Sequence, residues 1–281
     1  MRAETGEAGI EYDVTGDGRP VILLHGFPDS GRLWRHQVPV LAGAGFRVIV
    51  PDLRGYGRSG KPGTAASYSF PSLVGDVMAV LSDAGVERAH VVGHDWGGAV
   101  AWFFAMWHPE RLDRLSILNA PHPSQTRRAA RTPRQILRAP HVLLFQIPWL
   151  PEALLRMGDF VLLRRLFRYD PRRSGAYSDE DIEQIVGAAR EPGALTGMVS
   201  YYRAMLQRPT HTLWKPISRP VQVIWGENDR FLLREFAEPD RDWVPDLRFA
   251  PIPEASHWVQ ADAPEKVNAL LLDFFRESKP R

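Results

Sequence analysis

The sequence predicts one α/β domain, with a mostly parallel central sheet, helices on both faces and a helical segment inserted into the core. Short apolar runs alternate with helical patterns in the first part of the chain. A long helical region follows, and strand patterns then resume towards the carboxyl end. Alternating strands and helices are typical of a parallel sheet covered on both faces. A chain of 281 residues with 44% hydrophobic content is long enough to form one large core.

Six apolar runs are predicted as buried strands because each is β-rich and bounded by turn residues. The runs lie at residues 21–24, 47–50, 89–92, 115–118, 221–225 and 247–250. Between the second and third runs, Leu73, Val77 and Leu81 recur at helical spacing before Gly85, a helix stop signal. The amphipathic pattern over residues 264–275 predicts a final helix.

The region between the fourth and fifth runs shows helical patterns and no strand pattern. The α/β core is therefore predicted at residues 1–122 and 216–281, with residues 123–215 inserted as a helical lid. Ser178 is the predicted N-cap of a lid helix over residues 179–189. An insertion at this place is expected to cover the carboxyl ends of the strands, where α/β folds bind ligands.

Composition limits the classes of partner and compartment. A net charge of +2, from 35 basic and 33 acidic side chains, gives no reason to expect nucleic acid. The chain has no cysteine, which excludes disulfides, cysteine nucleophiles and cysteine-ligated metals, and we expect no metal or other cofactor. The polar amino terminus and the lack of an apolar run of ~20 residues predict a cytoplasmic protein.

Two questions about association follow from the same composition. Segment 127–138 is rich in arginine and could face an anionic membrane. A solvated helix face explains the same pattern, so we do not expect membrane contact. A homodimer is left open.

Residues 93–98, Gly-His-Asp-Trp-Gly-Gly, form the most informative motif. They follow a predicted buried strand and precede an apolar helical run. A strand-to-helix turn this sharp strains the central backbone and needs small residues around it. Such a nucleophile elbow projects its central side chain above the sheet, and here that side chain is the carboxylate of Asp95 rather than a serine hydroxyl.

Three further positions fit the same site. The His-Gly-Phe-Pro segment at 25–28 ends a strand, so the amides of Phe27 and Trp96 are predicted to form an oxyanion hole. Asp229 follows the fifth apolar run, and His257 follows the sixth. The order nucleophile, acid, histidine is that of the α/β-hydrolase catalytic triad, and this fold is therefore predicted.

Four other polar residues lie close to these positions in the sequence and could act as the acid or support the site. Glu227 is the alternative to Asp229 as the acid. Asn119 follows the fourth run but cannot serve as the acid because its side chain is uncharged. His25 and His94 are interpreted as structural, with His25 orienting the oxyanion loop.

A carboxylate nucleophile predicts a particular chemistry. Asp95 is ionised at pH 7 and can attack an sp³ carbon that carries a strained or good leaving group, forming an alkyl ester. Water activated by His257 and Asp229 would then hydrolyse the ester at its carbonyl, where the oxyanion hole acts. The sequence predicts a two-step hydrolase.

Five segments together resemble the α/β-hydrolase-fold epoxide hydrolases. They are His-Gly-Phe-Pro-Asp (25–29), Gly-His-Asp-Trp-Gly-Gly (93–98), Asn-Ala-Pro-His-Pro (119–123), Trp-Gly-Glu-Asn-Asp (225–229) and Ser-His-Trp (256–258). The resemblance covers the core and parts of the lid. It implies an enzyme that converts a small-molecule epoxide and water to a vicinal diol.

The family also implies two lid side chains, usually tyrosines, that hold and protonate the epoxide oxygen. Tyr201-Tyr202-Arg203 resembles the second lid motif, with Tyr202 as the acid. In the first motif, which usually reads tyrosine, three residues and Phe-Gln, His141 stands in the tyrosine position. An imidazole N–H can replace a phenol as donor. A His/Tyr pair resembles one secreted branch, typified by the bacterial inhibitory factor of the cystic-fibrosis chloride channel. The alternative is that Tyr202 acts without His141.

Phe27, Trp96 and Trp149 are the predicted substrate contacts. Haloalkane and haloacetate dehalogenases share the Asp elbow and are the main alternative. In such an enzyme Trp96 would hold the halide, and Trp149, Trp214 or His141 would provide a second donor. The third hypothesis is a non-catalytic ligand receptor, but a receptor does not need a complete set of nucleophile, acid and histidine.

Overall fold

The fold is built on one eight-stranded sheet. The computed structural model describes residues 1–207 and 214–277. The strands are β1 (Arg2–Glu4), β2 (Gly9–Thr15), β3 (Arg19–Leu24), β4 (Phe46–Pro51), β5 (Ala89–His94), β6 (Leu112–Leu118), β7 (Val221–Gly226) and β8 (Leu247–Ile252). Their spatial order is β1-β2-β4-β3-β5-β6-β7-β8. From β4 to β8 every neighbouring pair is parallel, whereas β1 and β2 are antiparallel additions at one edge.

The six predicted apolar runs all form parallel strands, and the predicted α/β-hydrolase fold is confirmed. The two amino-terminal strands were missed by the sequence reading. Both alternate between buried and exposed positions at the edge of the sheet, so they lack the continuous apolar run of a central strand. Leu24 and Gly93 pair in register, which brings the ends of β3 and β5 together.

Five α-helices belong to the described parts of the two core segments. They are α1 (Val38–Gly43), α2 (Phe70–Asp83), α3 (Asp95–Trp107), α10 (Val259–Asp262) and α11 (Pro264–Arg276). Helix α3 is buried along most of its length, since it is packed behind the sheet at its centre. Among the described residues, no helix is both long enough and apolar enough to cross a membrane.

Six helices lie between β6 and β7 in the described part of that region. They are α4 (Pro123–Ala129), α5 (Pro133–Arg138), α6 (His141–Leu144), α7 (Leu150–Tyr169), α8 (Asp179–Arg190) and α9 (Ala194–Gln207). Ser178 caps α8 in a reciprocal capping box with Asp181, as its sequence position predicts. Residues 208–213 of the predicted lid and 278–281 of the predicted core lie outside the described residues.

Two features of these inserted helices differ from what the sequence pattern predicts. The arginine-rich segment forms two helices rather than one, because Pro133 starts a new helix. Helix α7 is broken at residues 157–160, where Gly158, Asp159 and Phe160 have positive φ angles.

Candidate active site

The turn between β5 and α3 places Asp95 at the carboxyl edge of the sheet. Asp95 has a φ angle of 51°, a strained conformation for a residue other than glycine. A Cβ at Gly93 would lie 2.5 Å from the Gly97 carbonyl oxygen, and one at Gly97 would lie 2.2 Å from the Leu24 carbonyl oxygen. Only glycine fits at these two positions, so the sharp elbow requires the glycines that this sequence has there. The Asp95 side chain keeps 20% of its surface exposed.

The loop after β3 lies directly against the Asp95 carboxylate. The backbone N–H of Phe27 donates to Oδ1 of Asp95 at 2.8 Å. Trp96 lies in the first turn of α3, where backbone N–H groups have no partner within a helix. His25 supports this loop from below, because its Nε2 accepts from the Leu53 N–H at 2.9 Å. The structure thus brings both predicted oxyanion residues next to the predicted nucleophile.

The three predicted triad side chains meet at this edge. Nδ1 of His257 donates to Oδ2 of Asp229 at 2.7 Å, and Nε2 of His257 lies 3.6 Å from Oδ2 of Asp95. The alternative acid, Glu227, pairs instead with Arg234 at 3.0 Å. The geometry therefore assigns Asp229 and not Glu227 to the histidine.

The carboxylate of Asp229 is buried and fully supplied with donors. Its Oδ1 accepts from the N–H groups of Phe231 at 2.7 Å and Leu232 at 2.9 Å. Its Oδ2 accepts from Nδ2 of Asn119 at 2.8 Å as well as from His257. The sequence reading excluded Asn119 as an acid but missed this supporting contact. The positions of Asn119 and Asp229 in the sequence did indicate this contact, since the two residues follow neighbouring parallel strands.

Charges in this group stabilise one another. Burial alone would raise the pKa of Asp95 and of Asp229, but His257 beside each of them holds both pKa values below the usual range. Burial alone would lower the pKa of His257, and the two carboxylates raise it to about 10. At neutral pH the free protein accordingly holds two carboxylates around one imidazolium.

Tyr202 faces this site from lid helix α9. Its ring centroid lies 4.9 Å from that of Trp96 and 5.5 Å from that of Phe27. The neighbouring Tyr201 points elsewhere, since its hydroxyl donates to the Arg54 carbonyl at 2.8 Å. The structure thereby separates the two adjacent tyrosines that the sequence motif contains.

His141, the first residue of α6, lies beside Tyr202. Their ring centroids are 5.7 Å apart, and the imidazole makes edge contacts at the same distance with Phe145 and Phe231. Burial lowers the pKa of His141, whereas burial and the charge of Asp95 raise the pKa of Tyr202. Both side chains are therefore neutral hydrogen-bond donors at pH 7.

The predicted substrate contact at Trp149 is corrected by the structure. Trp149 is 76% exposed and is the N-cap residue of α7. Trp214 also lies away from the nucleophile, packed against Trp243 with ring centroids 6.0 Å apart. Phe145, which the sequence did not single out, lies at the site, because its ring contacts those of Phe27 at 5.6 Å and Tyr202 at 4.9 Å.

Comparison with known proteins agrees with the fold described above and with the family that the five sequence segments resemble. Residues 19–264 match the family described as alpha/beta hydrolase fold. Epoxide hydrolase 4 from Homo sapiens is 36% identical, over 95% of this chain and 76% of that protein. The chain belongs to the epoxide hydrolase family of the α/β-hydrolase fold. The resemblance predicted from the five sequence segments is thereby confirmed.

Other known proteins are similar to this chain in sequence or in structure. The AB hydrolase superfamily protein YfhM from Bacillus subtilis is 38% identical, over 92% of this chain and 91% of that protein. The crystal structure of a point mutant of an epoxide hydrolase from Bacillus megaterium superposes with a TM-score of 0.90 at 28% identity. It covers 99% of this chain and 100% of that one. Epoxide hydrolase A from Mycobacterium thermoresistibile superposes with a TM-score of 0.85 at 27% identity, covering 100% and 99%.

Proposed function

We propose that this member of the epoxide hydrolase family converts an epoxide and water to a vicinal diol through an ester on Asp95. The observation that carries the proposal is the placement of Asp95 between two sets of groups. Phe27 N–H and His257 bind its carboxylate from the core. Tyr202 and His141 face it from the lid.

In the first step an oxygen of Asp95 attacks an epoxide carbon, forming the C–O bond of an ester as the ring C–O bond breaks. The electron pair of the broken bond goes to the epoxide oxygen. Tyr202 and His141 donate hydrogen bonds to this oxygen, and Tyr202 gives it a proton. The charge of Asp95 contributes to the raised pKa of Tyr202, so esterification of Asp95 removes this contribution and makes the phenol a stronger acid as the alkoxide forms.

In the second step water hydrolyses the ester at its carbonyl. Esterification neutralises Asp95, which removes one of the two carboxylates that raise the pKa of His257. The imidazolium can then release its proton, which restores the Tyr202 phenol, and act as the base that deprotonates water, with Asp229 still stabilising it. The resulting hydroxide bonds to the ester carbonyl carbon, the C–O bond to the diol breaks, and the leaving oxygen takes the proton back from His257 as the carboxylate of Asp95 is regenerated. The amides of Phe27 and Trp96 would hold the oxyanion that forms at the ester carbonyl.

The walls of the site favour an apolar or aromatic substituent on the epoxide. Phe27, Trp96, Phe145 and Phe231 surround the two lid donors with aromatic surface. Of the three second halide donors that the dehalogenase alternative offers, Trp149 is exposed and Trp214 packs against Trp243, which leaves His141 beside Tyr202.

Turnover of styrene oxide and of a brominated alkane by the same preparation tests this proposal. We expect diol from the epoxide and no halide release above the Asp95→Ala background. Halide release without diol formation would establish the dehalogenase instead, and activity on neither substrate would contradict both assignments. Fractionation of the producing cells and light scattering test the cytoplasmic location and the homodimer, which stay predictions of the sequence reading.

A further inference from the structure

The loop that carries the acid of the triad is attached to the lid rather than to the core alone. This acid loop comprises residues 229–233, directly after β7. Lid helix α5 contacts it at three backbone atoms. Nε2 of Gln135 donates to the Phe231 carbonyl at 2.6 Å, and Oε1 of Gln135 accepts from the Leu233 N–H at 2.9 Å. Nη2 of Arg138 donates to the Asp229 carbonyl at 2.6 Å.

Gln135 is placed to control the donors that hold the acid. Its two hydrogen bonds flank Leu232, and the N–H groups of Phe231 and Leu232 are the two donors to Oδ1 of Asp229. The Gln135 side chain is itself buried, with 5% of the residue exposed. A buried amide that binds both a carbonyl and an N–H of one loop restrains that loop strongly, because losing it leaves both partners unsatisfied.

A second lid contact and a ring contact tie the same loop to the reacting groups. Nη1 of Arg230 donates to Oδ1 of Asp170, at the end of α7, at 3.0 Å. The Phe231 ring lies 5.4 Å from the His257 ring and 5.7 Å from the His141 ring. Displacement of the acid loop would therefore disturb two contacts of His257, its hydrogen bond to Asp229 and its ring contact with Phe231.

We propose that Gln135, together with Arg138, is a positioning residue by which lid helix α5 holds Asp229 in place for hydrolysis of the Asp95 ester. This inference rests on the proposed two-step function. It assigns the lid a part in the second step as well as in ring opening. Ring opening depends on Asp95, Tyr202 and His141. His141 meets the acid loop through the Phe231 ring, whereas Asp229 is held directly by the N–H groups of Phe231 and Leu232, which Gln135 flanks.

Gln135→Met tests the proposal because it keeps the volume of the side chain and removes both hydrogen bonds. Gln125→Met is the matched control. Gln125 is a buried lid glutamine of α4, 1% exposed, whose amide oxygen accepts from Arg128 at 3.1 Å rather than from the acid loop. Ester formation and ester decay are measured separately with styrene oxide, by rapid quench and intact-protein mass.

We expect Gln135→Met to slow ester hydrolysis about tenfold, equivalent to ~1.4 kcal/mol, while ester formation changes less than about twofold. The ester should accumulate, and kcat and KM should fall together with kcat/KM unchanged. If Gln135 only stabilised the fold, its replacement would not slow ester hydrolysis while leaving ester formation nearly unchanged. Gln125→Met should leave both steps as in the wild type.

Slowing of both steps alike in Gln135→Met, or of ester formation alone, would overturn the proposal. If this variant does not fold, Arg138→Met decides. Arg138 is exposed, and its replacement removes only the bond to the Asp229 carbonyl. Accumulation of ester in Arg138→Met supports the proposal, and wild-type partition overturns it. A wild-type protein that forms no ester at all would contradict the proposed function instead.

Discussion

Nε2 of His257 lies 3.6 Å from Oδ2 of Asp95, whereas its Nδ1 is bonded to Asp229 at 2.7 Å. The histidine is thus oriented by the acid and remains free to approach the carbonyl carbon of an ester on Asp95. This arrangement suits a base for the second step better than a base that must first activate the nucleophile. A serine would need activation, but the Asp95 carboxylate does not.

His257→Gln should open the ring and then stop. Glutamine cannot accept a proton from water, so the ester on Asp95 should persist. Intact-protein mass after mixing with styrene oxide should show a stoichiometric adduct within the time of one wild-type turnover. An unmodified His257→Gln protein that has consumed epoxide would speak against the covalent route.

Asp95→Ala should reduce turnover to the background rate, because no other described side chain at the elbow can attack carbon. The fold should persist, since 20% of the Asp95 side chain is exposed and alanine leaves the glycines of the elbow in place. Diol formation and thermal unfolding check the two expectations. Activity above a few per cent of the wild type would remove Asp95 from its proposed role.

Isotope labelling distinguishes a nucleophilic Asp95 from a general base. If water cleaves the ester at its carbonyl, the first diol carries an oxygen from Asp95. A single turnover in ¹⁸O water, with enzyme in excess, should give unlabelled diol and label in the Asp95 peptide. The hydrogen bond from the Phe27 N–H to Oδ1 of Asp95 places an oxyanion donor where that ester carbonyl would form. Labelled diol with an unlabelled peptide would show that Asp95 only activates water.

The lid donors make a prediction for the first step. Tyr202→Phe should slow ester formation at least ~10-fold, as expected for loss of a general acid that typically contributes ~10²–10⁴. His141→Phe should slow it equally or less, and His141→Tyr should retain much of the rate because it keeps a donor. Tyr201→Phe is the matched control, since its hydroxyl binds Arg54. No effect of His141→Phe would mean that Tyr202 acts without it.

Asp29 gives a pH dependence of stability. Its carboxyl group is buried, and burial raises its pKa to about 6, although Ser30 and Tyr177 donate to it. A carboxyl whose pKa is raised on folding binds more protons in the folded state, so stability falls as pH rises from about 4 to 6. Asparagine does not titrate in this range, so in Asp29→Asn the fall in the free energy of unfolding between these pH values should be smaller by roughly 2–3 kcal/mol.

Urea unfolding of wild type and Asp29→Asn at pH 4 and pH 7 measures the effect. The variant should gain stability relative to the wild type on going to pH 7. Asp17→Asn, at an exposed position, should follow the wild type at both pH values. A constant difference between wild type and Asp29→Asn across this range would refute the assignment.

The sequence by itself determined the central sheet and the elbow. The six apolar runs predict strands because a parallel strand is buried on both faces, and glycines at 93, 97 and 98 are needed wherever a strand turns sharply into a helix. The order of Asp95, Asp229 and His257 along the chain further predicted a triad, since parallel strands present their carboxyl ends at one edge. The antiparallel edge strands were missed because they lack a continuous apolar run.

Only the tertiary structure decided which side chains share the space above that edge. It directs Tyr202 to the site and Tyr201 to Arg54, leaves Trp149 on the surface, and brings Asn119 to Asp229. Local patterns cannot specify these contacts, because they join residues far apart in the chain through the packing of the lid on the core. The attachment of Gln135 to the acid loop is of the same kind, since it depends on where α5 lies and not on its own sequence.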